Sequence, residues 1–134
     1  MNTLALDTSV AAAWVLDDEN EPYANAAFSL LPAESALVPR LWHLELRNVL
    51  LSAERMNRLS PVRAGQHLAA LAALPIDTDD DTDLNTAYEL AKTYRLTIYD
   101  AVYLELATRR GVLIATLDNA LRRAAQSEDR LWQP

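Results

Sequence analysis

Two aspartates stand where an acidic side chain could take part in chemistry. Asp7 and Asp118 each follow a short apolar run, at residues 3–6 and 112–115, and such runs predict strands. In open parallel sheets, ligands bind at the carboxyl ends of the strands, so both aspartates are candidates for a site. Asp is also a common N-cap, and each could instead cap the helix that follows it.

A third acid, Glu45, lies in the longest segment with helical apolar spacing, which predicts a helix over about 40–56. At about 100° per residue, Glu45, Asn48 and Ser52 share one side of this helix, opposite its polar side. The residues on the polar side are His43, Arg47 and Glu54. The pattern predicts a carboxylate aimed inward, which needs a basic partner, a strong set of hydrogen bonds or a metal ion.

Asp100 has both a structural and a chemical interpretation. Thr97 and Asp100 have the spacing of a capping box at the start of a helix predicted over about 99–110. Asp100 is also at helical spacing from Leu104 and Ala107, so its side chain begins at the edge of the core. The two roles are compatible.

Composition restricts the chemistry that these acids can take part in. The chain has no cysteine, which excludes thiolate zinc sites, iron–sulfur clusters and cysteine nucleophiles and suits the cytoplasm. Its two glycines exclude a Walker A loop and a dinucleotide-binding GxGxxG motif. The net charge of −7 argues against nucleic acid held by bulk positive charge, although acids that bind a metal count in that sum.

Length and hydropathy favour one domain over residues 1–134, with 51% apolar residues to form its core. No apolar run approaches the ~20 residues of a membrane helix, and residues 1–4 lack the basic start of a signal peptide. We therefore expect a cytoplasmic protein with no membrane partner.

Alternating strands and helices predict a three-layer α/β/α fold with a short parallel sheet and six to seven helices. The run at 112–115 is predicted as a central strand with helices on both faces. The other predicted strands are 3–6, 36–39 and, more weakly, 74–76. The predicted helices are about 8–16, 21–31, 40–56, 61–74, 84–95 and 99–110.

The acidic run at 77–83 has the spacing of a calcium-binding loop but lacks two of its residues. Thr82 stands where glycine is required, and Tyr88 stands where a bidentate Glu is needed. We interpret the run as a solvated loop in which Thr82 or Asp83 caps the next helix.

The simplest account of these patterns is that four acids lie in one pocket: Asp7, Glu45, Asp100 and Asp118. Carboxylates that share a pocket raise one another's pKa, and a divalent cation removes that repulsion. With oxygen ligands and no cysteine, Mg²⁺ or Mn²⁺ fits such a site, which in turn attracts phosphate.

The order and spacing of these acids resemble those of PIN-domain ribonucleases, specifically the VapC-type toxins of bacterial toxin–antitoxin pairs. The resemblance covers nearly the whole chain. It is carried by LDTS at 6–9, ELRN at 45–48, LTIYDAVYLELA at 96–107 and TLD at 116–118.

The resemblance implies a Mg²⁺- or Mn²⁺-dependent endoribonuclease with a PIN-like fold, in which the four acids hold the metal. It also implies that Ser9 and Thr116 assist the metal shell or its water, and that Asn48 orients the neighbouring carboxylates. Its expected partners are RNA, a second copy of the chain and a cognate antitoxin whose tail enters the acidic groove. Asn119 stands where many relatives have a further acid, which leaves one metal ion or two open.

RNA beside an acidic site must be held by arginines, because carboxylates repel phosphate. The candidates are Arg40, Arg47, Arg109, Arg110, Arg122 and Arg123.

Two other functions remain open. A Mg²⁺-dependent phosphotransfer domain also has Asp at strand ends, but Asp7 is followed by Thr8 and Ser9 rather than by a second acid. The only lysine, Lys92, lies in a predicted helix and not at a strand end. A PIN-like module that binds RNA or protein without cutting is the other alternative, and the cost of burying four acids argues against it.

Overall fold

The computed structural model describes residues 3–16 and 20–134, in which four parallel strands form one sheet and seven helices pack around it. The strands are β1 (Thr3–Leu6), β2 (Ser35–Pro39), β3 (Ile76–Asp79) and β4 (Leu113–Ala115). The helices are α1 (Thr8–Val15), α2 (Pro22–Ser29), α3 (Arg40–Arg55), α4 (Pro61–Ala72), α5 (Leu84–Tyr94), α6 (Ile98–Arg110) and α7 (Asn119–Ser127). The predicted α/β fold is confirmed.

No helix in the described residues is long and apolar enough to cross a membrane. Met1 and Asn2, which belong to the segment expected to lack a signal peptide, lie outside the described residues.

β1 lies inside the sheet, whose strand order is β3-β2-β1-β4. It pairs in parallel with β2, where Ala5 lies opposite Leu37, and with β4, where Leu6 lies opposite Ala115. α6 packs against β1, β2 and β4, and α3 packs against β2. Leu4, Ala5 and Leu6 are all buried, as expected of an inner parallel strand covered by helices.

β4 is an edge strand, and its prediction as a central strand was wrong. Leu113 is 40% exposed, while Ile114 and Ala115 are fully buried. The C-terminal segment covers the outer edge of β4, where Ile114 N donates to Arg130 O and Trp132 N donates to Ile114 O. The run is apolar because the C-terminal segment and the helices bury it. An apolar run therefore indicates that a strand is buried but does not indicate its place in the strand order.

The helix ends agree with the residues that predicted them. Ser60 accepts a hydrogen bond from Arg63 N at the start of α4, and Asp83 accepts one from Thr86 N at the start of α5. Gly111 ends α6 with a φ of +64°, in the left-handed region that favours glycine. These interactions are local, which is why short motifs were enough to place them.

The acidic run at 77–83 is part strand and part loop, so its prediction as a solvated loop was wrong for Asp79. This residue ends β3 and is 4% exposed. Arg109 Nη2 donates to its Oδ1 at 2.8 Å, and Arg110 Nη1 donates to its Oδ2 at 2.6 Å. These contacts, above all those from Arg109, hold the pKa of Asp79 well below its usual range. The prediction failed because the arginines lie 30 and 31 residues further along the chain.

Asp79→Asn is expected to lower the free energy of unfolding by about 2–3 kcal/mol at neutral pH. A fully buried pair is worth about 3–5 kcal/mol when broken, and the 27% and 46% exposure of the Arg109 and Arg110 side chains reduces the loss here. Chemical denaturation measures the change. Asp80→Asn is the control, because the exposed Arg40–Asp80 pair contributes less than about 1 kcal/mol. Equal losses in the two variants would contradict this assignment.

Candidate active site

Asp7 and Asp118 lie at the carboxyl edge of the sheet, after β1 and β4. The backbone N–H of Asp7 donates to Ala115 O at 3.0 Å, which ties the end of β1 to the end of β4. Asp118 caps α7, because its Oδ1 accepts a hydrogen bond from Leu121 N at 2.8 Å. The Asp7 side chain makes no such cap at the start of α1. Helix capping therefore accounts for one carboxylate oxygen of Asp118, whereas the Asp7 side chain does not cap a helix.

Asp7 is held by hydroxyl groups rather than by a basic side chain. It is 5% exposed, and its Oδ2 accepts hydrogen bonds from Ser9 Oγ at 2.7 Å and Thr116 Oγ1 at 2.8 Å. The two hydroxyls are themselves placed by the backbone, since Leu117 N donates to Ser9 Oγ and Asp118 N donates to Thr116 Oγ1. Burial raises the pKa of Asp7, and the two hydroxyls offset only part of that rise.

Glu45 meets two hydroxyls that the sequence analysis did not single out. Its Oε1 accepts a hydrogen bond from the Tyr103 hydroxyl at 2.6 Å and one from Thr8 Oγ1 at 3.0 Å. The Thr8 and Tyr103 oxygens are 2.7 Å apart. Burial, with the charges of Asp7 and Glu45, raises the pKa of Tyr103 well above its usual range, so its hydroxyl stays protonated. The helical i,i+3 spacing from Asp100 is the pattern that could have indicated Tyr103.

Asp100 lies in the first turn of α6, behind its N-cap and close to the other acids. Its backbone N–H donates to Thr97 Oγ1 at 3.1 Å, which confirms Thr97 as the N-cap of α6. Burial, together with the charges of Asp118, Asp7 and Glu45 in that order, raises the pKa of Asp100 to about 6. Asp100 therefore lies within electrostatic reach of all three other acids.

The four acids form one electrostatic group that has no basic partner in the described residues. Within residues 3–16 and 20–134, no ion pair joins any of them to an arginine, a lysine or a histidine. Among the same residues, no three His, Asp or Glu side chains are arranged to hold a metal ion. The carboxylates must therefore shift before three of them can coordinate one ion.

The chemistry of the donor set fits a hard divalent cation. Every candidate ligand is an oxygen, the type that Mg²⁺ and Mn²⁺ prefer in proteins. In the part of the chain that the structure describes, Glu45 Oε2 accepts no hydrogen bond, so it is available as a ligand. A cation among these acids would also offset the like charges that contribute to the raised pKa of Asp100.

The inward side of α3 differs from the predicted one. The buried residues are Trp42, Leu46, Leu50 and Ala53. Glu45 is half-buried beside this row, whereas Asn48 and Ser52 are exposed, so their inward placement was wrong. Leu44 and Leu51 lie on the solvent side of the helix, where their side chains are 66% and 46% exposed. Among the described residues, no hydrogen bond joins Asn48 to the other predicted site residues.

The six candidate arginines have different partners. Arg40 pairs with Asp80, Arg109 and Arg110 pair with Asp79, and Arg47 donates to a backbone carbonyl of its own helix. Arg122 donates to Thr116 O at 2.8 Å, and its guanidinium lies over the Tyr23 ring at 4.9 Å. Arg123 is exposed. Arg122 is therefore the candidate that is fixed beside the ends of β1 and β4, whereas Arg40 is held at the ends of β2 and β3 by its pair with Asp80.

Comparison with known proteins agrees with the α/β fold. A family model of the PIN domain matches residues 4–127. The chain belongs to the PIN-domain family. No curated protein sequence matches it.

Two crystal structures resemble this PIN domain in fold. PAE2754 from Pyrobaculum aerophilum has a TM-score of 0.73 and 21% identity, over 92% of this chain and 84% of that chain. VapC20 from Mycobacterium tuberculosis, described as a sarcin–ricin-loop-cleaving toxin, has a TM-score of 0.63 and 13% identity, over 90% and 94% of the two chains. PIN domains are typically metal-dependent nucleases, so the family supports a nuclease function here.

The raised pKa of Asp100 predicts that its contribution to the stability of the metal-free protein is lost as the pH rises. Its pKa of about 6 lies above the ordinary value of 3.8, so the folded state binds this proton more tightly than the unfolded state does. The contribution is complete below pH 3.8 and is lost as the pH rises through about 6. The melting temperature in EDTA, measured across this range, should fall less in Asp100→Asn than in the wild type. An unchanged pH dependence in the variant would contradict the assignment.

Proposed function

We propose that this PIN domain is a Mg²⁺- or Mn²⁺-dependent endoribonuclease and the toxin of a toxin–antitoxin pair. One observation carries the proposal: four acids lie within electrostatic reach of one another at one edge of the sheet, two of them, Asp7 and Glu45, held by hydroxyl groups, and in the described residues none has a basic partner. Such a group is costly to keep together unless it binds a cation. The residues that would hold the ion are Asp7, Glu45, Asp100 and Asp118.

The other residues of the site would orient these ligands. A divalent cation bound there supplies a water of lowered pKa and neutralises charge on the phosphate oxygens of the substrate. Ser9 and Thr116 hold Oδ2 of Asp7, which limits rotation of that carboxylate. Asn48, exposed on α3 three residues after Glu45, remains a candidate to contact the carboxylates or the substrate from the open side.

RNA needs positive charge beside an acidic site, and Arg122 is suitably placed to provide it. Its contacts with Thr116 O and the Tyr23 ring hold the guanidinium near the ends of β1 and β4. Arg109 and Arg110 are less suitable, because they already neutralise Asp79. We therefore assign Arg122 the contact with a phosphate flanking the cleaved bond.

Apolar surface adjoins two of the acids and fits the protein partners that we propose. Leu44 and Tyr99 are 66% and 58% exposed and are chain neighbours of Glu45 and Asp100. Exposed apolar side chains of this size are common at protein interfaces. The proposed partners are a cognate antitoxin and a second copy of the chain, in the cytoplasm.

Asp7→Asn is expected to abolish RNA cleavage while the protein stays folded. Loss of a residue that only orients a metal ligand lowers activity by about 10–100-fold, so loss of a ligand should exceed about 100-fold. Cleavage of total and transfer RNA is measured with Mg²⁺, Mn²⁺ or EDTA for the wild type and for variants prepared side by side. Asp80→Asn, which changes an exposed acid paired with Arg40, is the matched control and should cleave normally.

Three results of this assay would reject the proposal. Cleavage by the wild type that persists in EDTA would show that no divalent ion is needed, and equal cleavage by the wild type and Asp7→Asn would show that Asp7 is not required. A wild-type protein that binds both metal and RNA without cleaving would favour a PIN module that only binds.

Mn²⁺ is expected to raise the melting temperature of the wild type, because a ligand that binds only the folded state stabilises it. At a concentration of 100 times Kd the stabilisation is about 2.7 kcal/mol. Thermal unfolding is followed during a Mn²⁺ titration for the wild type, Asp7→Asn and Asp80→Asn. The shift should disappear in Asp7→Asn and persist in Asp80→Asn, and a shift of equal size in all three would place the metal elsewhere.

A further inference from the structure

Glu45 differs from the other three acids in the length of its side chain and in its support. A glutamate has one more rotatable bond than an aspartate, so more freedom must be lost to hold its carboxylate in one place. In the described residues, α3 itself gives this carboxylate no hydrogen bond. Its partners, Thr8 and Tyr103, come from the start of α1 and the first half of α6.

Tyr103 makes a short hydrogen bond to Glu45 from a fully buried position. The Tyr103 ring is 0% exposed, and its hydroxyl donates to Glu45 Oε1 at 2.6 Å, a length typical of a hydroxyl bound to an ionised carboxylate. Thr8 Oγ1 lies 2.7 Å from the Tyr103 oxygen and 3.0 Å from Glu45 Oε1. The three oxygens form a closed triangle that leaves Oε2 of Glu45 without a partner in the described residues.

The triangle joins α1, α3 and α6, three of the four helices that border the acidic edge. Thr8 is the residue after Asp7, and Tyr103 lies three residues after Asp100 on the same helix. Residues at this helical spacing lie on one side of the helix. The contacts to Glu45 therefore set the position of α3 relative to the segments that present the aspartates.

Packing alone does not explain the Tyr103 hydroxyl. A phenylalanine would fill nearly the same space without burying a polar group next to a carboxylate. We propose that Tyr103, supported by Thr8, is a positioning residue that fixes one oxygen of Glu45 so that the other is presented to the bound cation. This inference rests on the proposed function, because it requires that the four acids bind a divalent metal.

The test measures Mn²⁺ affinity of the full chain at neutral pH, from the free Mn²⁺ signal in electron paramagnetic resonance. Tyr103→Phe is expected to weaken binding by about 10-fold or more, as is typical when a ligand loses its supporting hydrogen bond. Thr8→Val should also weaken binding, and it provides a second variant if Tyr103→Phe fails to fold. Thr8→Ser, which keeps the hydroxyl, should restore the wild-type affinity.

Tyr94→Phe is the matched control. The Tyr94 hydroxyl donates to Glu128 Oε2 at 2.5 Å, between the end of α5 and the residue after α7, so the same chemical change is made at a tyrosine–glutamate pair outside the acidic group. This variant should bind Mn²⁺ as the wild type does.

A double-mutant cycle separates positioning of Glu45 from general damage to the fold. If Tyr103 acts through Glu45, then Tyr103→Phe should have no further effect on Mn²⁺ affinity in a Glu45→Ala background. An equal loss of affinity in both backgrounds would overturn the inference, as would a Tyr103→Phe protein that binds Mn²⁺ like the wild type. In either case, Mn²⁺ binding by the wild type leaves the proposed function standing. A wild-type protein that binds no Mn²⁺ would overturn the proposed function and this inference together.

Discussion

Repulsion among four carboxylates at one edge of the sheet is the constraint on which the site depends. Burial raises the pKa of Asp7, and burial together with the other three acids raises that of Asp100 to about 6. Hydroxyl groups from the surrounding chain donate hydrogen bonds to Asp7 and Glu45. Such bonds orient a carboxylate but do not neutralise its charge. Those hydroxyls belong to Thr8, Ser9, Tyr103 and Thr116. Among the described residues, this negative charge therefore has no basic side chain to neutralise it.

Asp79 is a buried acid that, unlike Asp7, is paired with basic side chains. Arg109 and Arg110 contact both of its oxygens, and its pKa is held far below the usual range. The arginines neutralise the carboxylate of Asp79, which leaves it no charge for a ligand. The pairing therefore serves to hold β3 against the end of α6. Burial alone therefore does not mark a functional acid; the chemical type of its partners separates Asp79 from Asp7.

The order of the strands brings the proposed ligands together. Because β1 lies between β2 and β4, the residues that follow β1 and β4 meet at one edge, and the backbone bond from Asp7 to Ala115 fixes their spacing. The same edge carries Arg122, whose guanidinium is held by Thr116 O. The acids that would hold a metal and the arginine that would hold phosphate therefore lie near neighbouring strand ends. Ligands bind at this position in other open parallel sheets.

The sequence by itself determined most of the elements and the α/β class, because apolar runs and caps such as Thr97 depend on residues a few positions away, and it predicted the four acids as a candidate site. Only the tertiary structure decided that β4 lies at an edge, which side of α3 is buried, and that Tyr103 meets Glu45. That last pair is 58 residues apart in the chain, and no local pattern records such a contact. The sequence of a helix shows which of its residues are apolar, but the elements packed against the helix decide which side is buried. In α3 the packing leaves the apolar Leu44 exposed.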